Sequence, residues 1–255
     1  DGALVQWPAD PAPLYLSPGD AAAEQEIAEA IMRLDREVTA LELDEAQVAE
    51  ADAELTAEQR RAVVMTFARA VSVLTGGPGT GKTRTVAAIL RCAAALDLRV
   101  ALCAPTGRAA KRLEELSGHP ATTVHRLLEA YPDPDGDDRF LFGYGDHRRL
   151  PHDLVIADEW SMADLGLAHA LITAIPDGGR LLLVGDVDQL PPVGPGAVLR
   201  DLLATAAAAG DGRPVDETWP THSVPTAAYG REKAYLERLL DAFEARHPSV
   251  RVVRL

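Results

Sequence analysis

The chain is 255 residues long, 47% hydrophobic and 25% charged, with a net charge of −14 and two cysteines. That length and apolar content can bury a real core in one or two domains, and two cysteines exclude a disulfide framework or a cysteine-rich metal site. No window approaches 18 consecutive apolar residues and no basic stretch leads into an apolar run at the N-terminus, so neither a membrane span nor a signal peptide is expected and the expected setting is cytoplasmic.

Taken in chain order, residues 1–20 are rich in Pro and Asp and read as an irregular lead-in, beginning at Asp1 rather than Met as a piece of a longer protein would. Ala21 to Leu34 carries Ile27, Ile31 and Leu34 at helical spacing, and a second acidic helical stretch is expected between Thr39 and Ala53. Thr56 followed three residues later by Gln59 forms a capping-box pattern that opens a third helix. Val71–Leu74 reads as a short buried strand, and Thr83–Ala95 as a helix with Val86, Ile89, Leu90 and Ala93 on one face. Strand and helix patterns then alternate: a strand over Arg99–Ala104, a helix from Arg108, a strand over Leu154–Ala157, a helix from Met162 and a strand over Arg180–Val184. Cys92 and Cys103 fall in a helix and a strand, as small core residues do. This rhythm predicts an α/β fold, a parallel sheet flanked by crossover helices, with strands that are near-continuous apolar runs because both faces are covered. Tyr131–Arg149 reads as a long Asp/Gly/Pro loop with a short hairpin around Phe140–Phe142. Gly212–Ala228 reads as loop, and Glu232–Ala245 as an amphipathic helix that either packs on the domain or docks a partner.

Three segments carry chemistry. Gly76-Gly77-Pro78-Gly79-Thr80-Gly81-Lys82-Thr83 fits G-x-x-x-x-G-K-[ST] between a strand and a helix, where successive backbone amides and a helix N-terminus converge on one anion. Lys82 supplies a point charge for the β- and γ-phosphates, and the Thr83 hydroxyl can ligate Mg²⁺, so ATP and Mg²⁺ are the expected ligands. The strand Leu154–Ala157 ends in Asp158 and Glu159, the first suited to hold Mg²⁺ and the second to act as general base on water. A third strand runs into Gly185-Asp186-Val187-Asp188-Gln189-Leu190-Pro191-Pro192, where Gln189 can hydrogen-bond a γ-phosphate or the water beside it. Charge follows the same division. Residues 1–60 hold 15 acids against 3 bases, residues 61–150 hold 9 against 13, and residues 151–255 hold 15 against 9. The only net-positive third contains the phosphate loop, so some of its bases are expected to serve phosphates of a nucleotide or of DNA, the alternative being ordinary solvated helix faces.

The order of these segments with Ala104-Pro-Thr-Gly-Arg-Ala-Ala-Lys111 and Thr123-Val-His-Arg-Leu-Leu128 resembles superfamily 1 DNA helicases of the RecD/TraA-like branch, over roughly residues 55–205. The Leu14-Tyr15-Leu16 segment and its acidic helix resemble the lead-in before that domain. The resemblance implies a RecA-like P-loop NTPase domain over 55–255 behind a short acidic helical segment, 1–54. It also implies 5′-to-3′ movement on single-stranded DNA in recombination or repair. ATP would be held by Gln59, Gly77, Pro78, Gly79, Thr80, Gly81, Lys82, Thr83 and Arg84, with Thr83 and Asp158 on Mg²⁺ and with Lys82, Glu159 and Gln189 in catalysis. Pro105, Thr106, Gly107, Arg108, Lys111, Thr123 and His125, with Arg126 beside them, would line the DNA track, and Asp186 with Gln189 would couple the γ-phosphate to it. Gln59 is either the glutamine that reads the adenine ring or only the capping partner of Thr56; both need the same side chain.

Two departures qualify the resemblance. The family usually places a small residue after its Asp-Glu pair, whereas Trp160 stands here, either packing beneath the site, crowding the nucleotide, or stacking on a base. Val252–Leu255 resembles the strand before the motif that opens the second RecA-like domain, and the later motifs are absent. The expected partners are therefore single-stranded DNA, a second RecA-like domain of the parent protein and other recombination subunits, with slow hydrolysis by this chain alone. Alternative readings are the helicase part of a conjugative relaxase and a nucleotide-gated DNA-binding module with little catalysis. A small-molecule kinase is disfavoured, because it needs neither Ala104–Arg108 nor Gly185–Pro192.

Overall fold

The computed structural model describes residues 5–7, 14–134, 140–186, 189, 192, 198–199 and 250–254. The expected loop over 212–228 and helix over 232–245 lie outside the described residues. Two short strands, β1 (Val5–Trp7) and β2 (Leu14–Leu16), pair antiparallel within a lead-in expected to be irregular. Helix α1 (Pro18–Glu37) starts earlier than its apolar spacing implies, because Ser17 caps it by accepting from the Asp20 amide and Pro18 suits the first turn. The second acidic helix shrinks to α2 (Glu45–Ala51), closed by a capping box between Asp44 and Gln47. Residues 39–44 are held out of it: the Leu41 amide donates to Phe67 O and the Thr39 carbonyl accepts from Arg180. Helix α3 (Ala57–Ala68) has the expected Thr56–Gln59 capping box.

The strands β3 (Val71–Thr75), β4 (Val100–Ala104), β5 (Ala121–Thr123), β8 (Leu154–Ala157), β9 (Arg180–Gly185) and β10 (Val250–Arg254) form one sheet in the order β10-β3-β9-β8-β4-β5. All five pairings are parallel, so every strand points its carboxyl end at one edge. This is the RecA-like arrangement. Helices cover both faces. Alternate strand residues Val73, Val155, Ala157 and Leu183 join Leu34 of α1 and Leu171 of α7 (Leu165–Ala174) in one core. Leu74, Leu154, Ile156, Leu182 and Val184 join α3 and α4 (Lys82–Ala95) in the other. Cys103 is fully buried in this packing, and its thiol is pushed up to about 12 by burial and then by the charge of Asp158.

The helix expected from Met162 begins at Leu165. Before it, Glu159 adopts a left-handed backbone (φ 53°), a single 3₁₀ turn spans Trp160–Met162, and Asp164 caps α7 by accepting from Leu167 N. The short β5 and the one-turn α6 (Val124–Leu127) have no periodicity long enough to be read from sequence. The expected hairpin is present as β6 (Ala130–Pro132) paired antiparallel with β7 (Phe140–Phe142).

Candidate nucleotide site and nucleic-acid edge

The phosphate loop leaves β3 at Thr75 and re-enters regular structure at Lys82, the first residue of α4. Gly79 and Gly81 are left-handed (φ 81° and 86°). At Gly81 a β-carbon would also stand 2.5 Å from Gln59 Nε2, so glycine is required there twice over. Lys82 Nζ lies in the mouth of the loop, donating to Gly76 O at 2.5 Å and Gly77 O at 3.1 Å, while Thr80 Oγ1 donates to Gly77 O at 2.9 Å. Pro78 and Gly79 are exposed at the rim, and Thr83 is half-buried at the helix start.

Gln59 fulfils the capping role: its Oε1 accepts from the Thr56 amide at 2.9 Å. Its Nε2 meanwhile donates to the Thr80 carbonyl at 3.3 Å, so the same buried amide links α3 to the phosphate loop. Arg84 turns outward from the loop to Asp52 at 3.1 Å and Glu54 at 2.5 Å, and Arg91 joins it on Asp52 at 2.6 Å. Asp52 is held below the usual carboxylate range by these partners, against the opposing effect of burial. Asp52 is 32 residues from Arg84, so no local pattern announces this link.

Asp158 emerges from β8, two strands from β3 across β9, hence roughly 10 Å along the sheet edge at ordinary strand spacing. Burial pushes its carboxyl up, opposed by the Glu159 amide, which donates to Oδ1 at 2.8 Å, and by the nearby charges of Lys82 and Arg112. Arg112, on α5 (Gly107–Ser117), is a neighbour that sequence reasoning missed. Between them β9 ends at Gly185, where a β-carbon would meet Leu199 Cδ2 at 2.6 Å and Ser161 N at 3.1 Å. Asp186 is buried directly after it, and Gln189 is exposed with its amide donating to Asp186 O at 3.1 Å. Val187, Asp188, Leu190 and Pro191 lie outside the described residues.

Thr83 and Asp158 are hard oxygen donors, and no group of three His, Cys, Asp or Glu among the described residues could hold a metal by itself. That set suits Mg²⁺, which takes one or two protein oxygens and completes its shell with phosphates and water.

Trp160 is fully buried, packed in the same core as α1 and α7. It therefore neither stacks on a base nor stands in the solvent-facing nucleotide site; the packing alternative is the observed one. Its Nε1 and the Ser161 hydroxyl meet no hydrogen-bond partner among the described residues.

The other candidate residues lie further along the same edge. Parallel pairing sets Ala104 of β4 opposite Thr123 of β5, so Pro105–Lys111 and Thr123–Arg126 begin side by side. Thr106 and Thr123 each cap the following helix, accepting from Ala109 N and Arg126 N at 3.2 Å, which leaves each hydroxyl proton to donate. Gly107, Arg108 and Lys111 are exposed on the first turns of α5, with Lys111 3.9 Å from Glu115. His125 sits against the hairpin, 5.5 Å from the Phe140 ring and 5.9 Å from Phe142.

The AAA domain family matches residues 59–195. The ATP-dependent RecD2 DNA helicase of Deinococcus radiodurans is 46% identical over 155 residues, covering 61% of this chain and 20% of that protein. The RecBCD enzyme subunit RecD of Mycolicibacterium smegmatis is 46% identical over 171 residues, 57% of this chain and 30% of its own length. The RecD subunit of Haemophilus influenzae is 38% identical over 58% of this chain and 26% of its own. The chain thus spans less than a third of the length of these relatives. The solved Pif1 helicase of Candida albicans aligns over 55% of this chain and 34% of its own at 24% identity, with a TM-score of 0.39. The chain is similar to the RecD helicases named above, and through the match over 59–195 it belongs to the AAA domain family.

Proposed function

We propose that the chain binds ATP with Mg²⁺ and couples its hydrolysis to 5′-to-3′ movement on single-stranded DNA, in recombination or repair, as the first RecA-like motor domain of its parent. The observation that carries this reading is the common edge: phosphate loop, Asp158–Glu159, Asp186–Gln189 and the starts of α5 and α6 all follow carboxyl ends of one parallel sheet. Ligands of open α/β sheets bind along that edge.

In this reading the loop amides and Lys82 hold the phosphates, and Lys82 exchanges its two carbonyl acceptors for phosphate oxygens. Thr83 and Asp158 hold Mg²⁺, which neutralises charge on the phosphates. Glu159 orients and deprotonates the attacking water from a left-handed backbone position just past the end of the strand. Gln59 reads the adenine after releasing one of its two present contacts, and Arg84 serves the nucleotide after leaving Asp52 and Glu54. Gln189 reports the γ-phosphate through Asp186. Pro105, Thr106, Gly107, Arg108, Lys111, Thr123 and His125 contact the strand without reading sequence. The acidic segment 1–54 and the motor domain 55–255 would work with a second RecA-like domain and with recombination subunits, consistent with relatives named as RecBCD subunits. None of the relatives described above is named as a relaxase, so that alternative is not favoured.

The test is nucleotide binding and hydrolysis by the chain, with and without oligothymidylate, beside Lys82→Ala. Losing one charged contact to phosphate weakens ATP binding by roughly 10- to 150-fold. Mg²⁺-dependent binding that Lys82→Ala weakens by that factor, with slow turnover, fits a half-motor. Binding that survives the substitution unchanged removes the phosphate-loop assignment.

A further inference from the structure

The carboxylate assigned to water activation stands on strained backbone. Glu159 is left-handed (φ 53°), a conformation that costs any residue with a β-carbon and persists only where the surroundings force it. On its amino side the chain is fixed: Asp158 N donates to Cys103 O at 2.9 Å, and Glu159 N donates to Asp158 Oδ1 at 2.8 Å. On its carboxyl side it enters a single 3₁₀ turn, closed by Met162 N to Glu159 O and Ala163 N to Trp160 O, each at 3.1 Å. One such turn has poor hydrogen-bond geometry and is by itself a weak restraint on a strained residue.

The turn is seated by a side chain and by close backbone packing. Trp160 opens it and is fully buried, its indole in the core shared by α1, α7 and one face of the sheet. The backbone of the same turn rests on the end of β9: a β-carbon at Gly185 would stand 3.1 Å from Ser161 N and 3.5 Å from Trp160 N. Glycine there lets the turn settle onto the strand. Met162, at the far end of the turn, is 47% exposed and adds no comparable hold. Gly185 directly precedes Asp186, so the turn that follows the candidate base and the strand end that leads to the candidate sensor pack as one piece. The indole also leaves Nε1 without a partner among the described residues, which a purely apolar filler would avoid.

We propose that Trp160 is a positioning residue for Glu159: its buried indole, with the close approach at Gly185, pins the 3₁₀ turn and so keeps the residue after Asp158 left-handed. This rests on the reading of Glu159 as the base and adds what holds it in place.

The experiment is a double-variant cycle in urea on the 255-residue chain, with ATP hydrolysis measured beside it. Glu159→Gly removes the strain, and what glycine adds to the freedom of the unfolded chain is the same in both backgrounds and cancels. If the indole enforces the left-handed backbone, Glu159→Gly is more favourable in wild type than in Trp160→Ala by roughly 5- to 30-fold in the unfolding constant. Should Trp160→Ala fail to fold, Trp160→Leu takes its place in the cycle. A role in core filling alone makes the two steps equal, and equality overturns the proposal. At saturating Mg²⁺·ATP, Trp160→Ala is expected to lower kcat by roughly 10- to 100-fold with KM unchanged, and Trp160→Phe to restore most of it. Gly185→Ala pushes on Ser161 N without opening a cavity and should lower kcat in the same way. A rise in KM at unchanged kcat in these variants overturns the positioning role. Glu159→Gln that hydrolyses ATP as fast as wild type removes the base assignment and with it Trp160's bearing on catalysis, while the cycle alone decides its hold on the backbone.

Discussion

At the scale of single residues, the nucleotide site is built where backbone and side chain constrain each other. Gly81 is left-handed, and the space its β-carbon would fill belongs to the Gln59 amide. Gly81→Ala should therefore cost about 1–3 kcal/mol from the backbone alone, plus displacement of Gln59. In Gln59→Ala the displaced group is gone, so the double variant should lose less stability than the two single losses together, by an amount that urea unfolding resolves. Strict additivity would show that the two positions do not contend for one space. Trp160 offers a second case. Removing its buried indole with Ala should cost about 3–5 kcal/mol for lost contacts and cavity. Trp160→Phe gives up volume but also removes an indole N–H that has no acceptor among the described residues, so its cost should be well under half of that. If Phe costs as much as Ala in thermal unfolding, the indole nitrogen is satisfied in solution.

At the scale of elements, the sheet's amino-terminal side is tied by one ion pair that lies far from the candidate chemistry. Asp153, at the start of β8, accepts from Arg99 N and Nε through Oδ2 (2.8 and 3.0 Å) and from Nη2 through Oδ1 at 2.8 Å. These hydrogen bonds outweigh burial and hold its carboxyl at about 2. Because the folded value lies below the unfolded one of about 3.9, the pair's stabilisation is complete above the unfolded value and is lost as pH falls from there through about 2. With the side chain one-third exposed, screening leaves roughly 1 kcal/mol. Asp153→Asn should flatten the acid limb of the stability curve between about pH 4 and 2; an unchanged limb would assign acid sensitivity to other carboxylates.

The elements also show what the sequence made legible. The four central strands were readable because each is an apolar run covered on both faces, and the phosphate loop because glycine positions there are dictated by backbone sign. The helix after Asp158–Glu159 begins three residues later than its apolar pattern implies, because Trp160 and Met162 continue that pattern while Glu159 breaks the backbone. β5 is three residues long and joins the sheet only through pairing with β4, a non-local fact. The Asp52–Arg84–Arg91 link and the seating of His125 against Phe140 likewise depend on how distant segments pack, which no local spacing encodes.

At the scale of the molecule, the acidic lead-in and the sheet share one interior. Leu34 and Ile27 of α1 are buried with Val73, Val155 and Leu183 of the sheet, and the other side of α1 presents Glu26 and Glu29 to a cavity that Thr106 and His125 also line. Arg180 fastens the same union from inside. It opens the central strand β9, is 5% exposed, and donates to Phe67 O at the end of α3 at 3.0 Å and to the Thr39 carbonyl of the lead-in. Its acceptors are carbonyls rather than a carboxylate, and burial draws its pKa down from the usual arginine value. Arg180→Met should take a donor from the Thr39 carbonyl and leave Phe67 O with the Leu41 amide alone, at a cost of about 1–3 kcal/mol, and Leu34→Ala should cost about 2–5 kcal/mol. The shape of the transition decides more than the size of either loss. With a shared core, both variants should move a single denaturant midpoint at unchanged slope, because the lead-in cannot unfold without exposing the underside of the sheet. An early, separate transition carrying the helical signal of α1 would mean that the lead-in folds as its own unit.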